Sequence, residues 1–169
     1  MRSLYTLILM AMTAIATSAT AQSKLTVTSS SFSANGMIPA KYTCQGQQVS
    51  PPLHVTGVPS GAKSLAIILH DPDAPMSGGF THWVVWNLPT DGNIAEDFKG
   101  AEQGLNGAKR PGYTGMCPPS GVHHYHFMVY ALDTNLTLDK NSTDKAALEK
   151  AMAGHILAQG DLVGLYQKK

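Results

Sequence analysis

Across 169 residues the chain carries 12 Lys+Arg against 11 Asp+Glu, a formal net charge of +1, and no basic run. That balance argues against a module whose affinity comes from neutralising nucleic-acid phosphates, and it leaves no polybasic stretch to hold an anionic membrane. The length suits one compact domain.

Residues 1–21 read as a secretory signal peptide. Arg2 supplies positive charge, Leu4 to Ala16 is apolar, and Ala19-Thr20-Ala21 places small residues before a cleavage point at Gln22. The apolar run is shorter than the roughly 17 to 25 residues of a membrane span, and no Cys follows the cleavage point to carry a lipid. The expectation is a periplasmic or secreted protein with no stable membrane insertion, residues 22–169 forming a single domain; an uncleaved anchor is the alternative. In an exported chain the even pair Cys44 and Cys117 suggests a disulfide, two buried thiols that never meet being the other reading.

Lys24 to Phe32 nearly alternates and reads as an edge strand. Residues 33–62, with Pro39, Pro51, Pro52 and Pro59, read as loops joining short strands. Three apolar runs follow, Ser64 to His70, Trp83 to Leu88 and Tyr125 to Leu132, each bounded by Pro or Gly and short enough for a strand buried on both faces. The fold class expected is mainly β, two packed antiparallel sheets in a Greek-key-like sandwich with a few peripheral helices. Residues 91–116 carry no periodicity. Near the C-terminus Leu148, Ala151, Met152, His155 and Ile156 recur at helical spacing, with Ser142 or Thr143 as cap, Asp144 in the first turn and Gly160 at the end. His155 falls on the apolar face and reads as a hydrogen-bonded core histidine. A closing strand, Leu162 to Tyr166, follows.

The residues with chemistry sit at the ends of the apolar runs. In Asp71-Pro72-Asp73-Ala74-Pro75 two prolines stiffen a loop that bears two carboxylates, and Ala74-Pro75 is a reasonable place for a cis bond. A plain turn is the competing reading. His82 stands at the mouth of the second run. In the third, the period of two puts His123, Tyr125 and Phe127 on one face, and His124 with His126 on the other. His123 and Tyr125 suit a pocket wall; His124 and His126 form an i, i+2 pair that chelates a metal if exposed. No His-x-x-x-His helix or Cys-x-x-Cys is present, so neither a metal nor any other cofactor is expected. Ser120 lies near His123, but without a Gly-x-Ser-x-Gly elbow the chain is not expected to be an enzyme. What remains is a small pocket of imidazole, carboxylate, phenol and proline suited to an anion such as phosphate.

Asp71-Pro72-Asp73-Ala74-Pro75, His82-Trp83-Val84-Val85 with its Asn87-Leu88-Pro89 exit, Pro118-Pro119-Ser120-Gly121 before His123-His124-Tyr125, and Tyr130-Ala131-Leu132-Asp133 together resemble the phosphatidylethanolamine-binding protein family, also called Raf-kinase-inhibitor-like. Tyr42-Thr43-Cys44-Gln45-Gly46, Ser50-Pro51-Pro52-Leu53 and Gly154-His155-Ile156-Leu157-Ala158 resemble its bacterial branch. The likeness runs from about Leu25 to Tyr166. It implies two packed antiparallel sheets and an anion pocket built from Asp71, His82 and His123, with Asp73 on the same loop and Pro75, Pro118 and Tyr125 as walls. Two positions depart from the pattern: Met116 stands where Pro is usual before Cys-Pro-Pro, and His124 replaces an Arg, exchanging a fixed charge for one that titrates. The function expected is non-catalytic binding of a small anionic ligand, a phosphate-type group or phospholipid headgroup. The alternatives are a protein-contact inhibitor of a protease or host signalling protein, and a hydrolase using the His/Asp pocket.

Overall fold

The computed structural model describes residues 23–169; the expected signal peptide lies outside them. Among the described residues nine strands form: β1 (Ser23–Lys24), β2 (Thr26–Thr28), β3 (Leu53–Thr56), β4 (Ser64–Asp71), β5 (Phe80–Leu88), β6 (Asn93–Ile94), β7 (Glu102–Gln103), β8 (His123–Leu132) and β9 (Ile156–Tyr166). One α-helix, α1 (Lys145–Met152), and a 3-10 turn at Ala40–Tyr42 are the helical elements among the described residues. A six-stranded sheet runs β1-β9-β8-β4-β5-β7 and a three-stranded sheet β2-β3-β6. Every pairing is antiparallel except β1 with β9.

The unbroken apolar runs follow from the large sheet being covered on both faces. Leu65, Ile67, Leu69, Trp83, Val85, Phe127 and Val129 point into a core shared with Leu25, Val27, Leu53, Val55 and Ile94 of the small sheet's side. The intervening residues Ala66, Ile68, Val84 and Trp86 join Leu136, Leu148 and Met152 in a second core under α1. Burying both faces removes the polar alternation of a one-sided sheet. The helix does not cover the whole outer face, so along β8 His124 is exposed, and His126, Met128 and Tyr130 are half-buried.

Several expectations change. The N-cap is Asp144, whose carboxylate accepts the Ala147 N–H at 3.2 Å, rather than Ser142 or Thr143. The helix stops at Met152, not Gly160. Gly154 takes φ +84° there, and the chain reverses so that Ile156 pairs with Leu132; glycine reaches that left-handed conformation without a Cβ clash. The apparent helical spacing of Ile156 is therefore the start of a strand. His155 is in neither helix nor core: its side chain is about half exposed and its Nδ1 meets Asp133 at 2.8 Å. The Ala74–Pro75 bond is trans, no cis bond occurring among the described residues. Cys44 and Cys117 are joined, their Cα atoms 5.4 Å apart.

At Gly79 the backbone has φ +73°, and a Cβ would strike the Asp71 carbonyl and lie 2.8 Å from His70 Nε2. Only a glycine lets the returning chain pass this close to the end of β4. Gly79→Ala is expected to destabilise the fold by about 1–3 kcal/mol, read as a lower urea midpoint at unchanged slope. An unchanged midpoint would show that the loop yields without cost.

Candidate functional site

Register brings the site together. β4 and β8 run antiparallel with His70 opposite His126, so the end of β4 meets the beginning of β8 and Asp71 reaches His123. The contact is short: His123 Nδ1 lies 2.8 Å from Asp71 Oδ2, and both side chains are buried. The other oxygen, Oδ1, accepts the Asp73 N–H at 2.9 Å and closes the turn.

His82 arrives by a bulge. On β4 the consecutive residues Leu69 and His70 pair with Trp83 and Thr81, leaving His82 as an extra residue of β5. Trp83 already points into the inner core, so strict alternation would send His82 outward. The bulge turns it back inside, as bulges beside functional sites commonly re-aim a side chain. Its ring meets Phe80 edge-on at 4.8 Å and Tyr125 at 5.4 Å. His82 Nδ1 lies 3.0 Å from the Thr114 carbonyl, while the Thr114 N–H donates to the His82 carbonyl at 2.9 Å. Burial drives the His82 pKa down to about 4, outweighing the Thr114 carbonyl and the Asp71 charge, which pull it up. At neutral pH the ring is uncharged.

Between these groups lies a cavity of about 330 Å³. Asp71, His82 and His123 form its polar part, and Pro75, Met76, Phe80 and Pro118 are its apolar walls. The segment carrying Pro118 is held by the disulfide and by the Cys44 N–H donating to the Met116 carbonyl at 3.0 Å. Sequence reasoning missed Phe80, Met76, Thr114 and Cys117 as lining residues. Phe80 was findable, standing two residues before His82, whereas Thr114 lies in a stretch with no periodicity. Larger surface depressions of about 390 Å³ at residues 97–113 and about 530 Å³ beside Met37 and Tyr166 contain no histidine.

Two expected residues do not face the cavity. Tyr125 lies beneath it, fully buried, its ring stacked near His123 at 6.4 Å. Burial, together with the nearby Asp71 carboxylate, holds the ionisation of its hydroxyl far above the usual range. Asp73 turns toward β8, where its Oδ2 accepts from the His124 backbone N–H at 2.8 Å and sits 2.7 Å from His124 Nδ1. Those contacts lower the Asp73 pKa, although both side chains are largely in solvent and the pair adds little stability. His126 is held by a different carboxylate, Asp161, at 2.7 Å, so the two outward histidines do not converge on one metal. Among the described residues no three His, Cys, Asp or Glu side chains form a metal-holding group.

Chemically, the Asp71–His123 pair is the beginning of an acid–base relay, but among the described residues no hydroxyl or thiol hydrogen-bonds to His123.

Residues 28–167 match the model of the phosphatidylethanolamine-binding protein family. A UPF0098 protein of Pyrococcus horikoshii is 52% identical over 152 residues, covering 83% of this chain and 76% of that protein. Among solved structures, a phosphatidylethanolamine-binding protein homologue, CT736 of Chlamydia trachomatis, is similar at TM-score 0.82 and 44% identity, over 86% of this chain and 99% of that one. YbcL of E. coli, described as a member of the mammalian family, is similar at TM-score 0.79 and 31% identity, over 88% and 100%. The Pyrococcus relative is archaeal, so the branch is wider than bacterial.

Proposed function

Because the chain belongs to the phosphatidylethanolamine-binding protein family, we propose that it is an exported, non-catalytic binding protein that takes a small anionic group, phosphate or a phospholipid headgroup, between Asp71, His82 and His123. The observation that carries this reading is the pair of imidazoles whose Nδ1 atoms are held by the protein, leaving Nε2 of each for a ligand in a small, partly apolar cavity. At about 330 Å³ the space is at the low end of ligand pockets, suited to a headgroup and too small for acyl chains. Export rests on the leader read in residues 1–21. The protein-contact alternative draws support from Met76 at the cavity wall and Val122 beside His123, both about half exposed.

A thermal-shift series tests the pocket. With phosphate or phosphoethanolamine at ten times its Kd, the mature oxidised protein is expected to gain about 1.4 kcal/mol of stability, a rise of a few degrees. Asp71→Ala and His123→Ala, each compared with its own ligand-free baseline, are expected to lose that rise. Equal shifts in wild type and both variants would place the anion elsewhere on the molecule.

A further inference from the structure

The hydrogen-bonding character of the cavity is one-sided. His82 Nδ1 faces a carbonyl oxygen, which can only accept, so the proton of the neutral ring is on Nδ1 and Nε2 carries a lone pair. His123 Nδ1 faces the Asp71 carboxylate in the same way, and its Nε2 is likewise bare whenever the ring is neutral. Asp71 adds a buried negative charge. Among the described residues no lysine or arginine lines the cavity. The Tyr125 ring lies fully buried beneath the cavity and outside its lining.

Building on the anion-pocket reading above, we propose that this cavity selects anions that carry their own proton, taking a phosphoryl group as its O–H-bearing monoanion and rejecting a dianion that has no hydrogen to donate. The O–H of the ligand donates to a bare imidazole nitrogen or to Asp71. A dianion would set two charges beside Asp71 with no fixed cation to offset them, and would leave the His82 lone pair facing oxygen; buried, unpaired polar groups of that kind are costly.

Among the described residues the groups around the two rings include carboxylates, carbonyls, aromatic rings and one further imidazole, and no lysine or arginine. His82 is flanked by Asp71, His70 and the carbonyls of Thr114 and Gly115, with Phe80 and Tyr125 in edge-on contact. His123 has Asp71 at its Nδ1, Asp73 nearby, Tyr125 stacked on it, and Tyr166 opposite on β9.

Phosphate and sulfate separate the cases, since they match in shape while sulfate has no O–H near neutral pH. In calorimetric titrations of the mature, oxidised protein from pH 5 to 8, phosphate is expected to bind and sulfate to bind roughly a hundredfold more weakly or worse, the penalty of a site that loses its donor. Phosphate affinity is expected to fall about tenfold per pH unit above phosphate's own second pKa, following the protonated fraction. In Asp71→Asn, which removes the charge and supplies a donor, sulfate is expected to gain at phosphate's expense. Should that variant fail to fold, the wild-type contrast decides alone. Sulfate binding as tightly as phosphate, or phosphate binding more tightly as pH rises, would overturn the selection rule and leave an ordinary anion site. If neither ion binds at any pH, the anion-pocket reading falls and this inference with it.

Discussion

Cys44→Ala/Cys117→Ala is expected to lower stability by about 4 kcal/mol, the loop-closure value for a bridge across a separation of 73 residues. For a domain of this size that is a fall in melting temperature of roughly 10 °C. The wild-type protein under reductant should melt with the double variant, and calorimetry on the three samples checks it. A second effect is expected at the cavity. Cys117 is part of its lining and precedes the Pro118 wall, and Thr43 and Met116 are bridged next to the disulfide. With the covalent link gone, segment 114–119 is held against the neighbouring loop by non-covalent contacts, among them that bridge with its Cys44–Met116 hydrogen bond and the Tyr113 hydroxyl on the Tyr42 carbonyl. Phosphate affinity should therefore drop along with stability. A melting temperature within a degree of wild type would mean that burial of Met116, which is complete, holds this region without the bridge.

The parts legible in the sequence were those set by local pattern. The three apolar runs became β4, β5 and β8 because a strand covered on both faces needs no polar alternation. The period of two in His123, His124, Tyr125 and His126 sorted inward from outward side chains correctly. What the pattern could not carry was register. The bulge that returns His82 to the inside depends on β5 having one residue more than β4 between two pairings, and nothing in Phe80-Thr81-His82-Trp83 announces it. The helix was overrun for a related reason: Ile156 fits a helical face and a strand face equally well, and pairing with Leu132 decided between them. Asp73 looked equivalent to Asp71 in the loop, yet the turn closed by Asp71 Oδ1 sends the next carboxylate outward to His124. The residues at 114–117 entered the site through β-bridge and disulfide contacts at long sequence separation, which a single chain read locally does not display.

Acid should unfold this protein earlier than its exposed carboxylates alone would require, with His82 as the cause. Unfolded, a histidine titrates near 6.5; folded, burial takes His82 to about 4. The unfolded chain therefore binds a proton across that interval that the native protein does not, and stability falls as pH is lowered. The contribution is fully present above pH 6.5, declines from there, and is lost once pH has passed down through about 4. A difference of that size corresponds to about 3 kcal/mol. His70, half-buried and also lowered by burial, adds in the same direction but less, because water screens it. Denaturant titrations between pH 4.5 and 7 keep clear of most carboxylate protonation and should show the unfolding free energy rising with pH. The matched variant is His82→Asn. Its amide can keep the donor to the Thr114 carbonyl that Nδ1 now makes, while removing the larger titration, so its stability should change much less over the same interval, with His70 leaving a shallow slope. A wild-type profile as flat as that of His82→Asn would mean that the ring takes up its proton in place. The His82 lone pair on which the cavity's selectivity depends would then be absent at mildly acid pH.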